Sequence, residues 1–282
     1  MREENSKGNR QRLSKVVSHI EKHFNESLTL EQLSEIACLS PYHFHRVFSA
    51  EMGESVHEHI KRLRLEDAAF KLKYSDNSID KISFYSGYER NTSFSKAFKQ
   101  HFGQSPRNYR TTQRESEPNK EVKLSARITA VDDIYVAYVR KKGSYYQAAQ
   151  NAWQTLLSMA YRHGLVKENT RAYGITYDSP DITAAPKIRY DACISLGDNN
   201  ALDDDSGNNL SVQTIEGGQY AVFQHRGAYE KLEGVYNSIY EQWLPESGKL
   251  LRNLPSFCHY HEIDPSNVPE ECLVTDVYIP IN

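Results

Sequence analysis

Between residues 12 and 110 the apolar residues recur at intervals of three and four, the period of helices that bury one face. Leu13, Val16, Val17, Ile20 and Phe24 form one stripe and predict a helix ending near Asn25. The run LTLEQLSEIACLSPYHFHRVFSAEMG predicts two short helices. Thr29 with Gln32 makes a capping box for the first, whose buried face is Leu30, Leu33, Ile36 and Ala37. Ser40-Pro41 opens the second, an N-cap followed by proline at the first helical position, and Phe44, Val47 and Phe48 are its apolar side. Only Cys38 to Ser40 separate the two helices. That is helix-turn-helix spacing, in which the second helix is held out for insertion into a major groove.

A long helix follows in ESVHEHIKRLRLEDAAFKLKYSD, opened by a Ser55/Glu58 capping box and threaded by Val56, Ile60, Leu63, Leu65, Ala68, Ala69 and Leu72. About 19 residues at about 1.5 Å each make a rod of roughly 28 Å, close to one turn of duplex DNA. Then the first pattern returns. A short helix is expected around Ile79 to Tyr85, a turn at Gly87, and a further helix with Phe94, Ala97, Phe98 and Phe102 on one face and Asn91, Thr92, Ser93 and Lys96 on the other. Gly103 ends it, and Ser105-Pro106 starts one more. Phe44 and Phe48 recur as Phe94 and Phe98, so the chain carries one motif twice, joined by a rigid helix.

From about residue 12 to 110 the sequence resembles the DNA-binding domain of the AraC/XylS transcription regulators. The resemblance rests on LTLEQLSEIACLSPYHFHRVF, MGESVHEHIKRLRLEDA and SGYERNTSFSKAFKQHFGQSPRNYR. It implies double-stranded DNA as a partner, with base-reading residues Tyr42, His45 and Arg46 in the first unit and Asn91, Thr92 and Lys96 in the second. The side-chain chemistry is suited to that. Arg46 can donate a bidentate pair to guanine, Asn91 can pair with adenine, and Lys96 can reach a phosphate or a guanine. Tyr42 offers a ring to a thymine methyl and a hydroxyl to phosphate, while His45 is a donor or acceptor whose state depends on pH. The bland alternative is that these are solvated polar faces.

Beyond residue 110 the period changes. TTQRESEPNKE is polar and aperiodic, and reads as a linker over 111–121 between a domain at 1–110 and one at 122–282. DIYVAYVRKKGSYYQAAQNAWQTLLSMA predicts a strand, a turn at Gly143 and a helix with Tyr146, Ala149, Trp153, Leu156 and Leu157 facing inward. GQYAVFQHRGAYEKLEGVYNSIYEQWL repeats that plan around Gly227. The strands AYGITYD and SFCHYHE, then YDACISL and TDVYIPI, recur at the same offset of 84 or 85 residues. The fold class is therefore multidomain, α and α+β. An all-α double helix-turn-helix domain precedes a duplicated strand-helix-strand-strand domain, with a pseudo-twofold and a cleft between its halves. The acidic stretch GDNNALDDDSGNN reads as the loop between repeats, and Asp203–Asp205 as solvated rather than metal-binding.

This second half resembles the GyrI-like effector-binding domain, on GGQYAVFQHRGAY, the strand from Pro255 to Tyr260 and the terminal TDVYIPI. The resemblance implies a small-molecule effector held in an aromatic cleft, here by Tyr145, Trp153, Tyr177, Trp243, Cys258, Tyr260 and Tyr278, with Tyr229 nearby. In that family the strand commonly carries a glutamate where this chain has Cys258. The change weakens both the pull on a lipophilic cation and the acid–base role of the family's hydrolytic members.

No catalytic residues, cofactor or metal are expected. Cys258 and His259 are adjacent on a strand and point to opposite faces, so they make no dyad. His259 and His261 share a face and could share a metal, but no third ligand is evident in the sequence. The expected function is a sequence-specific DNA-binding transcription regulator with a small, aromatic or lipophilic effector and RNA polymerase as a further partner. The alternatives are a GyrI-like small-molecule hydrolase tethered to DNA, or a second domain that serves as a protein-interaction module.

Composition changes this picture little. The 282-residue chain has a net charge of −3, but residues 1–110 hold 18 Lys and Arg against 14 Asp and Glu while the remainder holds 16 against 23. Only the first half favours a polyanion. Four scattered cysteines without a CxxC pair suit a reducing compartment. No apolar run nears the roughly 18 residues of a membrane span, and MREENSKGNR has no signal-peptide core, so a cytoplasmic protein with no membrane partner is expected.

Overall fold

A serine or threonine side chain fixes where most helices of the first unit begin. Thr29 accepts from the amide of Gln32 at 3.2 Å while Gln32 returns the bond to the amide of Thr29 at 2.9 Å, completing the capping box. Ser40, Ser55, Ser78 and Ser105 likewise accept from the amide three residues on. At Ser55 the cap is one-sided, contrary to the expected box, because the Glu58 carboxylate lies toward Lys61 at 3.7 Å.

In the computed structural model, which describes residues 2–114, 124–197 and 210–282, the chain divides into two units, 1–117 and 118–282. The first contains α1 (Arg2–His23), α2 (Leu30–Ile36), α3 (Pro41–Met52), α4 (Val56–Tyr74), α5 (Ile79–Tyr85), α6 (Asn91–Phe102) and α7 (Pro106–Arg114). Leu13, Val16, Ile20, Leu33, Phe44, Phe48 and Leu63 form the core of the first helix-turn-helix. Phe94, Phe98, Ile82, Leu65 and Leu72 are buried in the second. α3 and α6 both end on left-handed glycines, Gly53 at φ 67° and Gly103 at φ 77°. The motif is thus repeated down to its stop signals.

Two polar features of α4 lock this arrangement. Arg64 donates to the carbonyls of Phe24, Glu26 and Gly87. Arg62 donates to Glu54 and Glu66 at 2.9 Å each, and the buried His59 ring meets Glu54 at 2.8 Å. The guanidinium and imidazole beside Glu54 hold its carboxyl far below the usual range, although burial opposes this. The expected linker starts too early. α7 continues through Arg114, because Arg110 donates to the carbonyl of Asn77 and Arg114 to Ser75 and Asp76. The rest of that stretch, 115–121, and Asp203–Asp205 lie outside the described residues.

The second unit contains β1 (Arg127–Val131), β2 (Ile134–Lys142), α8 (Tyr145–Arg162), β3 (Ala172–Thr176), β4 (Arg189–Ser195), β5 (Ser211–Ile215), β6 (Gly218–Arg226), α9 (Leu232–Ser238), α10 (Leu244–Ser247), β7 (Ser256–Tyr260) and β8 (Val274–Pro280). The strands form one antiparallel sheet in the order β1-β6-β8-β7-β3-β4-β2-β5. That order reads the same from either end once repeats are equated. The pseudo-twofold lies between β3 and β7, where Gly174 faces Cys258. Each repeat also has a leading strand that the four-element reading leaves out. β1 pairs with β6 and β5 with β2, so each leading strand borders the other repeat.

α8 lies on the sheet through Ala148, Ala152, Leu156 and Ala160, all fully buried. The expected inward stripe is therefore corrected: Tyr146 is 58% exposed, because small alanines at i, i+4 let the helix approach the strands. Its counterpart is not one regular helix. A 3-10 turn (Tyr229–Lys231), α9, a π-helical turn (Ile239–Trp243) and α10 succeed one another without a gap. Among the described residues no helix is long and apolar enough to cross a membrane.

Candidate functional site

The base-reading candidates stand on the faces of α3 and α6 that the core leaves in water. Phe44, Phe48, Phe94 and Phe98 are fully buried, and their helices turn Tyr42, His45, Arg46, Asn91, Thr92 and Lys96 outward. Tyr42 is 74% exposed, with the Arg46 guanidinium 5.7 Å from its ring centre. Arg46 and Lys96 occupy the same place in the two units, one turn inside helices that open at Pro41 and Asn91. Asn91 donates its side-chain amide to Asp80 of α5, so that exposed side chain is already held by a carboxylate.

In the second unit an aromatic cluster lies between the helices and the sheet at the pseudo-twofold. Trp153 of α8 donates its indole N–H to the Tyr190 hydroxyl at 3.0 Å, and Tyr190 and Tyr260 share a hydroxyl bond of 3.0 Å. Trp153 and Tyr229 meet the Tyr260 ring edge-on, at 5.6 and 5.0 Å, and Tyr145 meets Tyr190 at 5.7 Å. The Tyr236 hydroxyl is 3.3 Å from Cys258 Sγ. Gly174 is required beneath them: a Cβ there would sit 2.1 Å from the Tyr190 hydroxyl. The space expected as a cleft is filled by these side chains, with Tyr190 and Cys258 fully buried.

Of the predicted effector residues, Tyr145, Trp153, Cys258 and Tyr260 come together here. Trp243 is on the same side but packs edge-on against Phe223 at 4.9 Å. Tyr177 and Tyr278 do not join them, because the sheet intervenes. Tyr177 bonds to Asp191 at 2.8 Å, with the Arg140 and Arg189 guanidinia over its ring, and Tyr278 stacks on Phe257 at 4.5 Å. Two members were missed in the sequence, Tyr190 and Tyr236. Tyr190 alternates with Ala192 and Ile194 along β4, and that pattern marked it as inward-facing.

The hydroxyls of the cluster stay neutral. Burial raises the pKa of Tyr145, Tyr190, Tyr236 and Tyr260 above the ordinary tyrosine value. Burial also pushes the Cys258 thiol up to about 11, and Tyr229 to about 12 with the Glu262 carboxylate adding to the effect. Glu262 next to Tyr229 and Glu233 near Tyr145 place negative charge at the rim.

The GyrI-like small molecule binding domain model matches residues 125–282, over half of the chain. The chain belongs to the GyrI-like family. A helix-turn-helix domain model matches residues 33–112, the AraC-type domain that precedes the GyrI-like one. The HTH-type transcriptional regulator YbfP of Bacillus subtilis (strain 168) is 34% identical over 109 residues, which is 39% of this chain and 37% of YbfP. The chain thus spans little more than a third of that relative. The probable transcriptional regulator YgiV of Escherichia coli (strain K12) is 32% identical over 112 residues, 40% of this chain and 68% of YgiV. Among solved structures, the EcmrR C-terminal domain is similar at 14% identity over 57% of this chain and 99% of its own, with a TM-score of 0.46. The C-terminal domain of AraT from Geobacillus stearothermophilus is similar at 33% identity over 40% and 93%, with a TM-score of 0.36.

Proposed function

We propose that this GyrI-like protein is a cytoplasmic, sequence-specific transcription regulator whose second domain binds a small aromatic or lipophilic effector. The observation that carries the proposal is the aromatic cluster of Trp153, Tyr190, Tyr260, Tyr145 and Tyr229 on the pseudo-twofold. Flat rings that meet edge-on are matched by another flat ring, which can replace their contacts with one another. Tyr42, Arg46, Asn91, Thr92 and Lys96 supply the DNA-reading face in this proposal, with His45 beside them.

Binding rather than hydrolysis is favoured by the thiol at the centre. Cys258 is protonated at neutral pH, and its polar neighbours are the hydroxyls of Tyr236 and Tyr260 rather than a base. The test has two arms, both with the full chain. Selection of bound sites from random duplex DNA is expected to enrich one asymmetric sequence of about 20 base pairs, and a panel of neutral aromatic compounds to raise the melting temperature. No enrichment in the first arm would remove the regulator reading. Turnover of panel compounds without a thermal shift would install the hydrolase in its place.

A further inference from the structure

The sheet face turned away from α8 carries a second constellation, and the internal repeat shows what is unusual about it. In the first repeat Asp191 of β4 is fully buried and paired with Arg140 of β2, at 2.6 and 2.8 Å. The same carboxylate accepts from the Tyr177 hydroxyl at 2.8 Å. The 84- or 85-residue shift carries Asp191 onto Asp276, Arg140 onto Gln224, Ile175 onto His259 and Tyr177 onto His261. The pairing is preserved: Asp191 lies opposite Arg140 and Ile175, and Asp276 opposite Gln224 and His259.

The second repeat therefore keeps the carboxylate and lacks the guanidinium. Asp276 is 7% exposed, and Gln224 donates to its Oδ1 at 3.2 Å without bringing a charge. His261 Nε2 is 3.0 Å from its Oδ2, and the His259 and His261 rings are 4.9 Å apart. One ligand atom from each of His259, His261 and Asp276 can be chosen so that all lie within 4.8 Å of one another. A buried carboxylate without a fixed cation gains most from a mobile one.

The geometry points to a divalent transition-metal site formed by His259, His261 and Asp276, with a fourth position open to solvent. Two imidazoles and one carboxylate suit zinc, cobalt or nickel rather than magnesium or calcium, which prefer oxygen donors. Gln224 orients the carboxylate from behind, as outer-shell partners of metal ligands do. His261 is 40% exposed, so the ion has an entry path and its ligand can rotate inward. Tyr173 packs on His259 at 5.1 Å and fixes its ring. The nearby exposed Arg171 opposes a cation and limits affinity.

The experiment uses the full chain with Cys38 and Cys272, the two exposed thiols, changed to Ser. Calorimetry with Zn(II) is expected to show one ion per chain with a micromolar Kd. His259→Gln and His261→Gln should each weaken it at least tenfold. Gln224→Arg rebuilds the first repeat's arrangement and should abolish binding while the melting temperature is kept. Co(II) substitution should give visible bands without sulfur charge transfer. Zinc binding unchanged in both histidine variants, a thiolate charge-transfer band, or no binding by the parent protein below about 100 µM Zn(II), well outside a micromolar site, overturns the assignment.

Discussion

Arg64 donates a hydrogen bond to the carbonyl of Gly87 at 3.1 Å, and the rest of its guanidinium is spent on the carbonyls of Phe24 and Glu26, at 2.5 and 2.7 Å. One side chain on the connecting helix thus ties the end of α1 to the turn between α5 and α6. Gly87 has φ 77°, and a Cβ there would sit 2.7 Å from the Asn25 carbonyl and 2.9 Å from the guanidinium carbon. Arg64→Ala leaves three carbonyls without their donor, and lysine cannot serve all three at once. A loss of about 2–4 kcal/mol in denaturant unfolding is expected for Arg64→Ala. Arg64→Lys should recover less than half of it, and Gly87→Ala should fall in the same range. Losses under about 0.5 kcal/mol would reduce the contact to surface decoration.

Arg46 and Lys96 hold equivalent places, but Arg46 alone has the planar fork that reads guanine. Arg46→Ala is expected to cost about 1–3 kcal/mol on the best site and to relax preference at one base position. Lys61, engaged with Glu58 on α4, serves as the comparison; Lys61→Ala should weaken all sequences alike or leave them unchanged. Quantitative binding to a library of single-base variants measures both. An Arg46→Ala protein with its base preferences intact would take Arg46 out of the readout.

At the aromatic cluster the question is charge. Cys258 is buried and neutral where a carboxylate would draw a cation, while Glu262 and Glu233 stand at the rim. Neutral lipophilic ligands are expected to compete well with cationic ones, and Cys258→Glu to move preference toward cations by about 1–2 kcal/mol. Calorimetry of matched neutral and cationic ligands on the parent protein, Cys258→Glu and Glu262→Gln decides the matter. Tight cation binding that disappears in Glu262→Gln would transfer the role from the centre to the rim.

The same burial predicts sensitivity to base. Cys258 ionises near 9 when unfolded and near 11 when folded. Below pH 9 both states hold the proton and stability is unaffected. Above it the unfolded chain sheds the proton first, so stability falls as pH rises toward 11, by about 2–3 kcal/mol from this group. The buried tyrosines act in the same direction. Urea unfolding from pH 7 to 11 should show the decline, shallower in Cys258→Ala. Equal slopes for the two proteins would mean that the thiol is better solvated than its burial implies.

What the sequence determined by itself is what local chemistry and period encode. Thr29, Ser40 and Ser105 announced their helices, because a cap is satisfied by an amide three residues away. The 50-residue and 84-residue repeats gave both domain plans, since a duplicated core pattern implies a duplicated core. Alternation also placed Cys258 and His259 on opposite faces of one strand. Only the tertiary structure decided what lay across strands. A period of two says which residues of a strand share a face but not which face of its neighbour they join, so Tyr177 and Tyr278 were assigned to the wrong side. The same phase, fixed by pairing register, sets Asp276 opposite His259 and exchanges β1 and β5 between the repeats. Long side chains reaching back decided the rest, as at α7, where Arg110 and Arg114 hold a polar sequence in a helix because distant carbonyls accept from them.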